Sequence, residues 1–167
     1  MSTVAHKKEA PTSVRVAVIS VSSTSILKND KSGEWIKNQA QKQGNEVVSH
    51  QMAKDDISNI RNQLFQVMET KSPEAVIITG GTGISPKDLT VEAVKFLFHK
   101  ELTAFSTIFA MLSFEEIGSA AILSRATAGI IGNTLVFCLP GSLKACKLAC
   151  NNLIFPELGH LIKHIKE

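Results

Sequence analysis

The sequence predicts an α/β/α domain with a mostly parallel sheet and one antiparallel edge strand. Three observations carry that prediction. From Val14 to Phe155, short β-rich runs that are apolar without alternation, as in strands buried on both faces, alternate with patterns of helical spacing. Residues 75–90 read as one such strand, a glycine-rich turn and the start of a helix. Gly132-Asn133, between two β-rich runs, suits a primed hairpin turn and so an antiparallel strand. The competing architecture, an all-α repeat, is opposed by the buried β-rich runs.

Residues 1–13 lack periodicity and read as a flexible arm, leaving residues 14–167 as a single domain. Residues 14–21 are the first strand, and the polar residues 22–31 form the loop at its carboxyl end. Ser32 is the expected N-cap of a helix carrying Trp35, Ile36 and Ala40, with Gly44 as its stop. Val47, Val48 and Met52 mark a weaker second strand ending in Lys54-Asp55-Asp56, where either aspartate could be no more than a helix-start charge. Ile57, Ile60, Leu64, Val67 and Met68 recur at helical spacing until Pro73 turns the chain. Residues 91–98 and 105–116 read as two further helices, and residues 119–125 as helix or loop. After the hairpin, Leu139-Pro140-Gly141-Ser142 leads into a helix over residues 144–155, which Pro156 should separate from a terminal helix bearing Leu158, Leu161, Ile162 and Ile165.

Chemistry concentrates in the glycine turn. Gly80, Gly81 and Gly83 allow positive φ and let backbone N–H groups face an anion just ahead of a helix start, the usual place for a phosphorylated ligand in an open α/β sheet. The motif has neither dinucleotide nor P-loop spacing, so it does not name the ligand, and a plain tight turn is the other reading. Pro140-Gly141-Ser142 is a second candidate anion site with the same structural alternative.

A chain that is 44% hydrophobic and 20% charged suits one globular domain, and its apolar runs look too short for a membrane span. With no apolar leader, cytoplasmic placement is expected. Net charge is +3 and aromatic content 5%, giving neither a basic stripe nor a stacking platform, so nucleic acid is not expected as a partner. Cys138, Cys146 and Cys150 read as small buried residues rather than metal ligands, and His160 and His164 as surface histidines. Phe105, Phe109, Met111, Phe114 and Ile122 exceed what one amphipathic helix needs, so this region is either an oligomer interface or an ordinary core helix pair.

The ordered set Asp30-Lys31-Ser32-Gly33, Lys54-Asp55-Asp56, Thr79-Gly80-Gly81-Thr82-Gly83, Lys87-Asp88-Leu89-Thr90, Met111-Leu112-Ser113-Phe114-Glu115-Glu116-Ile117-Gly118, Leu123-Ser124-Arg125 and Leu139-Pro140-Gly141-Ser142 resembles the MoaB/MogA family of molybdopterin-binding proteins, related to the gephyrin G domain. The Phe-Glu-Glu-Ile-Gly stretch points to the MoaB side. Lys54, Ala110, Leu143 and Ser23 stand where the family more often has Pro, Arg, Pro and Asp.

The resemblance implies a three-layer fold, a homo-oligomer (trimer or hexamer), and a role in molybdenum- or tungsten-cofactor synthesis alongside other enzymes of that synthesis. It implies adenylylation of molybdopterin by Mg-ATP, or a non-catalytic carrier role. By position, Asp55 and Asp88 match the catalytic carboxylates and would hold Mg²⁺. Gly80, Gly81, Thr82, Gly83, Ser113, Glu116, Pro140, Gly141 and Ser142 match the molybdopterin- and phosphate-binding positions. Both aspartates follow predicted strands, so a parallel sheet would bring them to one edge.

Overall fold

In a computed structural model, which describes residues 10–24 and 26–167, six strands form one sheet in the order β2-β1-β3-β6-β5-β4. They are β1 (Arg15–Val21), β2 (Glu46–Ala53), β3 (Ala75–Thr79), β4 (Lys100–Glu101), β5 (Thr127–Ile131) and β6 (Thr134–Leu139). The strands β2, β1, β3 and β6 run parallel, and β5 runs antiparallel to both β6 and β4. The antiparallel strand thus lies toward one edge, with the two-residue β4 added outside it. No hydrophobic pattern announces a two-residue strand.

The helices are α1 (Lys31–Lys42), α2 (Ile57–Lys71), α3 (Thr90–Val94), α4 (Thr103–Ile117), α5 (Leu143–Ala149) and α6 (Phe155–Lys166). Alternate residues of each central strand feed two cores, which makes three layers. Val16, Val18, Ile77, Leu135 and Phe137 pack with Ile36 of α1, Phe105 and Phe109 of α4, and Cys146, Leu158 and Ile162 of α5 and α6. On the other face Ala17, Ile19, Ile78 and Val136 meet Ile60, Leu64 and Val67 of α2 and Ala93 and Val94 of α3. Each fully buried aliphatic side chain stabilises the fold by about 1.5–3 kcal/mol.

Several local expectations are corrected. The N-cap of α1 is Asp30, whose Oδ1 accepts the Gly33 N–H at 2.9 Å; Ser32 lies in the first turn, its hydroxyl donating to the Gly141 carbonyl at 2.8 Å. The helix expected over residues 91–98 is short, giving way after Val94 to a 3-10 turn, Lys95–Leu97. Residues 118–123 are likewise 3-10. Pro156 does not separate two helices: a π-helical segment, Cys150–Ile154, carries α5 into α6. Widening the turn accommodates the proline ring and its missing N–H.

The arm expected over residues 1–13 falls mostly outside the described residues, while Pro11 has its carbonyl against Gly159. Cys138, Cys146 and Cys150 are buried in the cores. Contrary to the reading of short apolar runs, Thr103–Leu123 is long and apolar enough to cross a membrane by length and composition alone. The reason lies in its two apolar faces. Phe105 and Phe109 turn inward, Phe105 lying 5.2 Å from Phe137 between ring centroids, whereas Met111 and Phe114 are each 62% exposed and Ile122 is 84% exposed.

Candidate functional site

The chain passes from β1 through β2 and back across β1 to β3, so the strand order switches between β1 and β3. A crevice at the carboxyl ends of those strands is where an α/β sheet binds ligands. The glycine loop lies there. Gly80 (φ +98°) and Gly81 (φ +67°) adopt left-handed backbone; a Cβ on Gly80 would strike the Val21 carbonyl of β1, and one on Gly81 would strike Thr90 Oγ1. Only glycine fits either position.

The four carbonyls from Gly80 to Gly83 all accept hydrogen bonds. The Gly80 carbonyl accepts from Thr90 Oγ1 at 2.7 Å and the Gly81 carbonyl from the Thr90 N–H at 2.9 Å. The carbonyls of Gly83 and Thr82 accept from Arg125 Nε at 2.9 and 3.3 Å. Gly80 N–H donates to the Leu139 carbonyl at 2.9 Å, tying the loop to the second turn, where Thr79 Oγ1 also donates to the Pro140 carbonyl at 3.0 Å. The N–H groups of Gly81, Thr82 and Gly83 have no acceptor among the described residues. Three adjacent unpaired donors can receive an anion.

Two clefts meet at this loop. The larger, about 550 Å³, is lined by Ser20, Asp30, Ser32 and Met52 together with Gly80, Gly81, Asp88 and Gly141. The smaller, about 310 Å³, is lined by Thr82, Gly83, Phe109, Ser113, Ser124, Pro140 and Ser142, and shares Gly81, Asp88 and Gly141 with the first. Asp88 is fixed against Ser85, its Oδ2 accepting the Ser85 N–H at 2.8 Å while its own N–H donates to the Ser85 carbonyl at 2.9 Å.

Asp55 lines neither cleft. It stands beside the loop with Oδ1 3.5 Å from where a Gly81 Cβ would be, and its Oδ2 accepts from Ser23 Oγ at 2.5 Å. Asp56, beside it, is the N-cap of α2, accepting the Asn59 N–H at 2.7 Å. Of the sequence-predicted residues, then, Gly80, Gly81, Thr82, Gly83, Asp88, Ser113, Pro140, Gly141 and Ser142 line the two clefts. Glu116 does not, being exposed on α4.

At the far wall of the larger cleft Asp30 Oδ2 lies 2.9 Å from His50 Nε2. Burial alone would raise the Asp30 pKa, but the hydrogen bonds from His50 and the Gly33 N–H outweigh it and hold the carboxyl below its ordinary value.

Sequence reasoning gave no binding or catalytic role to Arg125 and Ser124, which enter only through the Leu123-Ser124-Arg125 motif, or to Glu92, which reads as a charge near a helix start. Arg125 binds Glu92 through both carboxylate oxygens, at 2.5 and 3.2 Å, across 33 positions of sequence, and no local pattern signals such a pairing. Ser124 Oγ is buried without a partner and its residue lines the smaller cleft. Such an orphaned hydroxyl is the mark of a site completed by a ligand or water.

Residues 17–160 match the family model of the probable molybdopterin binding domain. The chain is 45% identical over 168 residues to molybdenum cofactor biosynthesis protein B of Bacillus subtilis (strain 168), an alignment covering 100% of this chain and 99% of that protein. A crystal structure of a molybdenum cofactor biosynthesis protein B is similar with a TM-score of 0.90 at 40% identity, over 95% of this chain and 99% of the other. The tungsten cofactor synthesizing protein MoaB from Pyrococcus furiosus is similar with a TM-score of 0.87 at 38% identity, over 95% and 100% of the two chains.

Proposed function

Because this chain belongs to the family of the probable molybdopterin binding domain, we propose that it serves molybdenum- or tungsten-cofactor synthesis in the cytoplasm, by binding molybdopterin and adenylylating it with Mg-ATP. The observation that carries this reading is the meeting of two clefts at Gly81, Asp88 and Gly141. Two substrates, one in each cleft, would have their reacting phosphates together at the glycine loop.

In the transfer, a phosphate oxygen of molybdopterin bonds to the α-phosphorus of ATP as the bond from that phosphorus to the bridging oxygen breaks, and pyrophosphate leaves with the electron pair. Charge builds on the α-phosphate and the leaving group. The unpaired N–H groups of residues 81–83 would meet that charge with donors already in place. Thr82 and Ser124 add hydroxyls.

Asp55 and Asp88 would repel a polyanion unless a cation lay between, and two hard carboxylates fit Mg²⁺, which takes one or two such ligands and completes its shell with phosphate and water. When bound, Mg²⁺ would offset the phosphate charge. No cluster of three acidic, His or Cys side chains competes as a metal site among the described residues.

We also infer a homo-oligomer, trimer or hexamer, closed through the outward apolar residues Met111, Phe114 and Ile122. A carrier that holds molybdopterin without chemistry is the second reading, favoured by the place of Asp55 outside both clefts. Incubating the protein with molybdopterin and Mg-ATP separates them: release of pyrophosphate with an adenylylated pterin supports the enzyme, and binding without turnover supports the carrier.

A further inference from the structure

Arg125 would ordinarily be read as a phosphate ligand, standing as it does beside an anion cradle. Its surroundings say otherwise. Nε donates to the Gly83 and Thr82 carbonyls, one terminal nitrogen to Glu92 Oε1, and the other to Glu92 Oε2 and, at 3.2 Å, to the Asp88 carbonyl. All three nitrogens are engaged. The side chain lines neither cleft, and sits behind the loop in a groove with Ile84, Ser85, Pro86 and Leu89. Ser124 before it is extended, so its hydroxyl and the guanidinium point to opposite sides of the chain.

We propose that Arg125, oriented by Glu92, is a positioning residue that fixes the glycine loop and Asp88 in their ligand-receiving shape without touching the ligand. This rests on the reading of the loop as a phosphate site given above. By binding the Thr82, Gly83 and Asp88 carbonyls, the guanidinium fixes the planes of those three peptides, and with them the directions of the Gly83, Ile84 and Leu89 N–H groups. Glu92 sets the plane of the fork and balances its charge, and the pairing holds Glu92 below the usual carboxylate range. A lysine cannot replace this fork, since one nitrogen cannot reach three carbonyls and a carboxylate in a fixed plane.

The test compares the parent protein with Glu92→Gln, Arg125→Lys and the double variant, after circular dichroism has shown native spectra. Each is measured for molybdopterin affinity by fluorescence and for amide hydrogen exchange. The expected result is that each single variant weakens molybdopterin binding on the order of 10-fold or more, as misplacement of donors by a fraction of an ångström does. The hydrogen-bonded amides of Ser85, Asp88 and Thr90 should exchange faster while those of β1 and β3 do not change. The double variant should be no worse than the weaker-binding single one, as for two members of one unit.

If Glu92→Gln binds molybdopterin as tightly as the parent or more tightly while Arg125→Lys weakens it, Arg125 is a direct phosphate ligand and the proposal is overturned. Unchanged exchange at Ser85, Asp88 and Thr90 in both single variants also overturns it. A parent protein that binds no molybdopterin would sink the functional reading alone; the exchange comparison then decides the clamp.

Discussion

Thr90 holds Gly81 from two sides: its N–H donates to the Gly81 carbonyl at 2.9 Å, and its Oγ1 fills the space that a Cβ on Gly81 would need. With Gly81 at φ +67°, alanine there meets both left-handed strain and a collision. Gly81→Ala should cost about 1–3 kcal/mol of stability in urea denaturation. It should also abolish measurable molybdopterin binding, because the backbone that carries the cradle must move. A variant of parental stability and affinity would show that the loop conformation does not matter.

The two faces of α4 should separate under substitution. Phe109 is 2% exposed and Phe114 is 62% exposed. Phe109→Ala should destabilise the fold by about 3–5 kcal/mol, the cost of deleting a buried ring. Phe114→Ala should change the chain's own folding stability by no more than about 0.5 kcal/mol, yet shift sedimentation toward the 18.1 kDa single chain. An unshifted assembly would remove this face from the interface.

Asp30 gives a dependence on pH. Its folded pKa lies below the ordinary 3.8, so its hydrogen-bonded carboxylate contributes stability that is present in full above that value and lost as pH falls through the lower folded one. Asp30→Asn should therefore lose stability at pH 7 and show a shallower decline below about pH 4 than the parent, read from urea midpoints across the acid range. Parallel declines would mean that His50 and the Gly33 N–H do not stabilise the charged form.

Much of this architecture was legible because parallel strands buried on both faces leave continuous apolar runs, as in residues 75–79, and because glycines at the end of such a run have few other uses. Gly132-Asn133 was equally plain: Ile131 pairs with Thr134 around it, with positive φ at Gly132. Elements whose cause is tertiary were not legible. Asp30 rather than Ser32 caps α1 because Ser32 is drawn to the Gly141 carbonyl 109 positions away. The Glu92–Arg125 pair has no local signature, and Glu92 alone reads as a charge favoured near a helix start. Phe105 and Phe109 could not be assigned to core or interface until the helix phase against β6 was known.

If the loop and its carboxylates catalyse transfer rather than merely hold a ligand, the charge of Asp88 is where the difference should show. Asparagine keeps an acceptor for the Ser85 N–H, so Asp88→Asn should preserve the paired bonds between Ser85 and Asp88 and remove only the charge. With molybdopterin and Mg-ATP, the variant should bind molybdopterin within a few-fold of the parent yet form adenylylated product slower by a factor on the order of 10² or more, the loss expected when transition-state stabilisation is removed. Transfer at the parental rate would leave Asp88 as a turn-forming residue and place the chemistry elsewhere.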